Sequence, residues 1–577
     1  MGELCDGEYC APPGAGNSGE GATSIGCVTL DDLNSAVRDA VAQAVAAGEF
    51  AADIPDDVAV ERPKNTDHGD YSSNIALRLA KSAGQPPRAI AEAIAARLAG
   101  IAGVGAVEVA GPGFLNITLD SAALGTLARK IVEDGEAFGR SSLLAGQRIN
   151  LEFISANPTG PLHLGHTRWA AVGDSMGRVL SAAGAEVTRE FYINDRGVQM
   201  DRFGASLQAA ATGRPVPEDG YHGDYIAELA ADLVATQPEL LTLEPAEQLI
   251  AFREAGYQCQ LKQQQDVLEA FGTHFDVWYS ERYLHTSGAV ERGLKTLEAQ
   301  GHTFTQDGAL WLRTTDFGDD KDRVLVKSDG ELTYFASDTA YYVDKRNRGF
   351  DVCIYLLGAD HHGYVGRLKT VAACAGDDPE RNIDVRIGQL VKILKAGEEI
   401  RLSKRAGDIV TLTEFVELAG LDAVRYTLGR YPSDSPLTID IDVITRAAND
   451  NPVFYVQYAH ARTANVTKNA ADYGITLDVF RPELLSHETE SVLLTALGEF
   501  PRVVAQAAEL REPHRVARYL EELAGVFHRW YDVCRVTPKG DEEITDTNRT
   551  RLWLNVATKT VLANGLSLLG VSAPDRM

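Results

Sequence analysis

The sequence predicts an α/β multidomain chain: a parallel sheet split in the sequence, a small α+β domain ahead of it and an all-helical domain behind it. Three observations carry this. At 577 residues the chain outgrows a single hydrophobic core, which stops growing beyond about 250–300 residues. The apolar strand INLEFIS is followed across a Pro/Gly turn by a helical run and then by strand-like VTREFYIND, the β-α-β order of a parallel sheet. From about Thr413 onward the apolar spacing is helical almost to the end, as in a bundle.

Residues 1 to about 27 are rich in Gly, Ser, Ala and acidic side chains with no apolar period, and read as a disordered tail. Gly14-x-Gly16-x-x-Gly19 matches a dinucleotide fingerprint by letter alone, since no strand precedes it and no helix follows. A first helix is expected from Leu30, behind Asp31 or Asp32 as cap, and a second over about Pro86 to Leu98. VGAVEVAGPGFLNITL alternates as strand, turn, strand. Together these make an α+β domain over residues 28–121.

The sheet domain is expected over 147–415. It begins with INLEFIS, enters a helix from about Leu164 to Ala183, and is interrupted over about 206–325 by a mostly helical, charged insertion with a strand pair near GHTFTQDGALWLRT. Sheet character resumes with ELTYFAS, the helix DTAYYVDKRNRG and the apolar strand DVCIYLLGAD. Residues 416–577 make the helical domain.

Composition excludes several classes. Hydrophobic residues are 45% and charged residues 24% of the chain, a globular balance. No apolar run reaches the roughly 20 residues of a bilayer crossing, and the N-terminus lacks a signal-peptide layout, so no membrane partner and a cytoplasmic location are expected. The seven cysteines, Cys5, Cys10, Cys27, Cys259, Cys353, Cys374 and Cys534, form no C-x-x-C pair, so reduced thiols and no zinc are expected. A formal charge of −27 opposes phosphate binding overall, and a nucleic-acid partner would need locally basic strips.

The chemistry concentrates in Asn157-Pro158-Thr159-Gly160-Pro161-Leu162-His163-Leu164-Gly165-His166, between the strand and the helix. A helix N-terminus offers free N–H groups and the positive end of a dipole to phosphates. Gly165 lets a flat ring approach the backbone, and His163 and His166 can donate hydrogen bonds to phosphate oxygens. The same H-x-x-H could also be surface polarity or half of a metal site.

The P-L-H-L-G-H run resembles the H-I-G-H signature of class I aminoacyl-tRNA synthetases. Arg401-Leu402-Ser403-Lys404-Arg405-Ala406-Gly407 resembles their K-M-S-K-S loop and occupies its place downstream. The resemblance implies a class I Rossmann-like catalytic domain that uses ATP with Mg2+, with Lys404, Ser403 and Arg401 beside the transferring phosphates. Arg401 replaces the family's first lysine, which keeps charge but changes geometry.

Among these families the chain is most similar to the arginyl-tRNA synthetases. Glu152 stands five residues before Asn157, and Tyr334-x-x-x-Asp338 has that family's spacing. The resemblance implies that Glu152, Tyr334 and Asp338 hold a guanidino group, which favours planar, acceptor-rich carboxylates, and that Asn157 binds the α-amino end. It further implies that Pro158, Gly165, Gly358, Asp360 and His361 contact ATP. His68-Gly69-Asp70-Tyr71 with Asn74 resembles the family's extra N-terminal domain, which touches the tRNA elbow. The run Asn451 to Arg462 matches the opening of the anticodon-binding bundle, with Tyr458 and Arg462 as candidate tRNA contacts, and Asp422-Ala423-Val424-Arg425 departs by one letter from its D-A-L-R tetrapeptide. The implied partners are L-arginine, ATP and tRNA(Arg), the enzyme acting as a monomer.

The residues fit other families less well. A cysteinyl enzyme would need a zinc-binding cysteine set, and glutamyl or glutaminyl enzymes need a cation where Glu152 and Asp338 supply anions. A small-molecule adenylyltransferase would lack the helical C-terminal third. A non-catalytic tRNA-binding paralogue would not need His163, His166 and Lys404.

Overall fold

The structure is a computed structural model that describes residues 30–55, 58, 60–63, 68–399 and 410–577. Arg401, Ser403 and Lys404, and the tail with its glycine run, lie outside the described residues. Contacts divide the chain into two compact units, Met1–Leu127 and Ala128–Met577.

In the first unit, strands β1 (Val60–Glu61), β2 (Tyr71–Ser73), β3 (Val104–Ala110) and β4 (Phe114–Leu119) form an antiparallel sheet of order β1-β2-β4-β3. It carries helices α1 (Leu30–Ala46), α2 (Ile75–Ala83) and α3 (Pro87–Leu98). Helix α1 buries Leu33, Val37, Ala40, Val41 and Ala44, an i, i+4, i+7 stripe that needs a partner face. Pro87 at the first position of α3 costs no hydrogen bond there. Helix α4 (Ser121–Asp134) runs through the division.

The second unit is built on five parallel strands in the order β12-β11-β5-β6-β7: β5 (Arg148–Glu152), β6 (Glu186–Ile193), β7 (Val277–Ser280), β11 (Val352–Gly358) and β12 (Ile383–Gly388). Helix α5 (Leu164–Ala182) connects β5 to β6 and is buried over almost its whole length, so that its polar side chains Arg168 and Asp174 are buried too and are met by carbonyls and by Arg425. Between β6 and β7 lie α6 (Val198–Ala211), α7 (Asp224–Thr236) and α8 (Pro245–Ala270). After β7 come α9 (Glu281–Thr286), α10 (Ala289–Ala299) and the antiparallel β8 (Thr303–Gln306), β9 (Ala309–Leu312) and β10 (Arg323–Val326).

Two expectations need correction here. The segment expected as an insertion contains β7, which is the edge of the parallel sheet; its four residues, VWYS, are too short to show a period. ELTYFAS is not a strand: helix α11 (Tyr334–Asn347) begins at Tyr334, because the Thr333 hydroxyl accepts the Ala336 N–H at 3.2 Å and caps it. The cap turns two β-favouring aromatics into the first helical turn.

Helix α12 (Val365–Cys374) links β11 to β12, and β13 (Val391–Lys395) and β14 (Glu398–Glu399) follow. The C-terminal part holds α13 (Leu412–Ala419), α14 (Leu421–Gly429), α15 (Ile441–Ile444), α16 (Pro452–Asp472), α17 (Glu488–Gly498), α18 (Phe500–Glu509), α19 (His514–Val533) and α20 (Asp546–Leu568). It also holds a strand that helical spacing did not reveal, β15 (Leu437–Asp440), paired in parallel with β13. Behind the sheet, Phe153 meets Phe275 at 4.4 Å between ring centroids and Phe191 stacks on Trp278 at 4.5 Å; such pairs are each worth about 0.5–1.5 kcal/mol beyond burial. Among the described residues no helix is long and apolar enough to cross a membrane.

Candidate active site

At the carboxyl ends of β5 and β11, where ligands of open parallel sheets bind, lies a cavity of about 1060 Å³. Its wall includes Glu152, His163, Gly165, His166, Tyr334, Asp338, Gly358, Asp360 and His361. Nine of the expected site residues, from four separate stretches of sequence, therefore share one space.

The histidine pair forms the α5 end of the cavity. His163 caps α5: its Nδ1 accepts the Gly165 N–H at 3.1 Å, and the Nδ1 of His166 accepts the N–H of His163 at 3.4 Å. Both acceptors must be unprotonated at Nδ1, so each neutral ring carries its proton on Nε2. Burial holds His163 below the ordinary imidazole range, and burial together with the neighbouring His163 pushes His166 down to about 3. The rings lie 3.9 Å apart. A Cβ on Gly165 would meet the His163 ring at 3.0 Å, so the glycine keeps the first turn open.

The acidic end is built by β5 and α11. Beyond β5 the chain turns through Ile154 (φ 70°) and Ser155 (φ 46°), left-handed backbone that costs a β-branched residue on the order of 1–3 kcal/mol. The turn aims the Ser155 hydroxyl at Glu152, donating at 2.9 Å, while Ser155 Oγ accepts the Tyr192 N–H at 3.2 Å. Glu152 is 6% exposed and pairs at 2.5 Å with Lys345, which is 0% exposed. Glu190, the register neighbour of Glu152 on β6, takes Arg348 through two bonds of 2.5 and 2.9 Å and accepts the Tyr341 hydroxyl. Burial pushes Glu190 up, but Arg348, Lys345 and the Tyr341 hydroxyl together outweigh it and hold the carboxyl below its usual range.

Asp338 accepts a hydrogen bond from the Tyr364 hydroxyl and has no ion pair with any described residue. Burial pushes its carboxyl up to about 6, against the Tyr364 hydrogen bond and with a further rise from Glu152. Tyr334, at the first position of α11, is 83% exposed. At the far rim, His361 Nε2 lies 3.4 Å from Asp360. Gly358 makes that approach possible, since a Cβ there would meet the Asp360 carboxylate at 2.6 Å.

Three expected residues stand elsewhere. Asn157 is exposed and does not line the cavity, and Pro158 is buried in the same turn; the turn is held from behind by Gln264, which donates to the carbonyls of Asn157 (3.1 Å) and Gly160 (2.9 Å). Where the α-amino end was expected to meet Asn157, the wall offers Ser155 and Asn194 instead. Tyr71 is 2% exposed: its ring is core of the small sheet and cannot meet a nucleic acid, whereas Asn74 is exposed. Arg462 donates to the Tyr458 hydroxyl at 2.8 Å and stacks on the rings of Tyr458 and Tyr531 at 4.8 and 4.7 Å, a partly exposed cation–π cluster on α16 and α19.

Sequence reading missed Lys345, Arg168 and Tyr364. Arg168, two residues past His166, is buried and donates to three carbonyls, of Gln389 (2.9 Å), Pro432 (2.7 Å) and Ser435 (2.8 Å). Burial pushes its guanidinium down to about 10, still cationic at neutral pH.

This arrangement has known counterparts. Residues 31–119 match the arginyl tRNA synthetase N terminal domain, residues 129–219 and 257–429 the catalytic domain of class I (R) tRNA synthetases, and residues 456–577 the DALR anticodon binding domain. The arginine–tRNA ligases of Kineococcus radiotolerans and Renibacterium salmoninarum are each 59% identical over 95% of this chain and 100% of their own length. The solved Thermus thermophilus arginyl-tRNA synthetase shares the fold, with a TM-score of 0.73 at 24% identity over 94% of this chain and all of that one. With matches running from the small N-terminal sheet through the split parallel sheet to the helical end, the chain belongs to the class I arginyl-tRNA synthetase family.

Proposed function

We propose that this protein, a cytoplasmic monomer, activates L-arginine with ATP and its Mg2+ to arginyl-adenylate, then transfers the arginyl group to the 3′ end of tRNA(Arg). The observation that carries the reading is the pairing, in one cavity, of two carboxylates, Glu152 and Asp338, with two neutral histidines, His163 and His166. In the first step an oxygen of the arginine carboxylate attacks the α-phosphorus, a new P–O bond forms, and the bond to the β-phosphate oxygen breaks as pyrophosphate leaves. Catalysis of such a displacement is positioning and electrostatics.

His163 and His166 donate from Nε2 to phosphate oxygens at the dipole end of α5, and Gly165 leaves room for the nucleotide. Gly358, Asp360 and His361 receive the ribose side. Arg401, Ser403 and Lys404 supply further charge and hydrogen bonds to the phosphates from their loop. Glu152, Tyr334 and Asp338 accept the guanidino N–H groups, a planar fork that lysine cannot match. Asn74, Tyr458 and Arg462 contact the tRNA.

The test is charging of tRNA(Arg) with labelled arginine against lysine and citrulline. Arginine alone is expected to be attached; equal attachment of lysine removes the specificity reading, and none of any amino acid removes the catalytic one.

A further inference from the structure

Lys345 does not line the cavity, yet it touches Glu152, which does. It sits on α11 seven residues after Asp338, two helical turns on and hence on the same face. Its ammonium lies 2.5 Å from Glu152 Oε2, 3.8 Å from the centre of the Tyr355 ring and 4.4 Å from that of Tyr341. A fully buried lysine is rare and costly unless paired. Here a carboxylate and two aromatic faces meet it.

Two consequences follow from this geometry. The first is positional: Lys345 takes one oxygen of Glu152 and the Ser155 hydroxyl takes the other, which fixes the plane of the carboxylate. A carboxylate has about four lone-pair sites, so two remain for a ligand. The second is electrostatic. Glu152 is balanced by Lys345 and Glu190 by Arg348, while Asp338 has no ion pair among the described residues. Of the two carboxylates on the guanidino wall of the cavity, Glu152 and Asp338, only Asp338 is thus uncompensated, which matches one monocation; Glu281, buried near Asp338 but outside that wall, has the Arg196 guanidinium nearby.

Building on the proposed arginine activation, we propose that Lys345 is a positioning and specificity-determining residue: it locks Glu152 as a neutralised acceptor and leaves Asp338 to supply the charge that selects the guanidinium. Removing Lys345 would put two facing carboxylates in the pocket. Removing the charge of Glu152 alone would leave a buried ammonium beside the substrate cation.

The test is a double-variant comparison by ATP–pyrophosphate exchange with tRNA present, reading the arginine KM, the ATP KM and kcat separately. Glu152→Gln is expected to raise the arginine KM about 100-fold, the scale for stranding one member of a buried pair. Adding Lys345→Met should rescue it to within about tenfold of wild type, with the ATP KM little changed and arginine still preferred to citrulline. In the same assay Asp338→Asn should lose that preference. A double variant no better than Glu152→Gln, or further than tenfold from wild type if the single variant does not fold, overturns the proposal, because Glu152 would then be the charged contact itself. A merely structural pair would move stability and kcat together and give no KM-specific rescue. If wild-type protein gives no arginine-dependent exchange, the proposed function fails instead.

Discussion

Asp338 carries its charge at a cost that a bound cation would offset. With its carboxyl raised from 3.8 to about 6 in the fold, the folded chain holds that proton more tightly than the unfolded chain. The penalty for ionisation is absent below about pH 3.8 and fully present above about pH 6, where it destabilises the ligand-free protein by about 3 kcal/mol. A bound guanidinium favours the ionised form. Arginine is therefore expected to raise the melting temperature more at pH 7.5 than at pH 5, and its KM to rise as the pH falls through 6; equal thermal shifts at both pH values would remove Asp338 as the charge that recognises the substrate. The histidines behave differently. With His166 held near 3 and His163 also depressed by burial, neither should impose an imidazole titration on the rate between pH 6 and 8. His166→Ala should lower kcat by about 10²- to 10³-fold, read by pyrophosphate exchange at saturating arginine.

At the scale of elements, α5 is the piece whose placement matters most, because its first turn is the histidine end of the cavity, where the phosphates are proposed to bind. Arg168 fixes that turn against the segment leaving β12 and the loop before β15 by donating to three carbonyls. Arg168→Met would strand those carbonyls at about 1 kcal/mol or more each, so a loss of about 3 kcal/mol or more in unfolding free energy is expected, measured by urea denaturation. An unchanged midpoint would mean that water replaces the guanidinium. Element identity was legible where period and length agreed, as for β5, α5 and β6. It failed where a cap overrode propensity, at Thr333 and Tyr334, and where a four-residue strand had no hairpin turn beside it to mark it, as in β7 and β15, unlike β8 and β9 with their Asp307-Gly308 turn. The cavity's anions were legible as residue types; the cation beneath them was not. Lys345 and Glu152 are 193 residues apart, and within DTAYYVDKRNRG a lysine looks like one more solvated charge. Tyr71 was misread for a related reason: nothing local distinguishes a sheet-core tyrosine from an exposed one.

Over the whole molecule, a formal charge of −27 sets a condition on how a polyanionic tRNA arrives. Long-range repulsion acts over the Debye length, about 30 Å at 0.01 M salt and 10 Å at 0.1 M, whereas contacts such as the one proposed for Arg462 act at hydrogen-bond range. Salt then has two opposite effects: it screens the repulsion that slows encounter, and it weakens each phosphate contact once the complex has formed. Raising salt from about 0.01 to 0.1 M is expected to leave the association rate of tRNA(Arg) unchanged or faster and to speed its dissociation, the reverse of the falling association rate seen when a basic surface steers nucleic acid. Stopped-flow binding at several salt concentrations resolves the two rates. An association rate that drops steeply over that range would mean that a basic strip dominates the field along the approach path, and that the acidic excess is carried where the tRNA never passes.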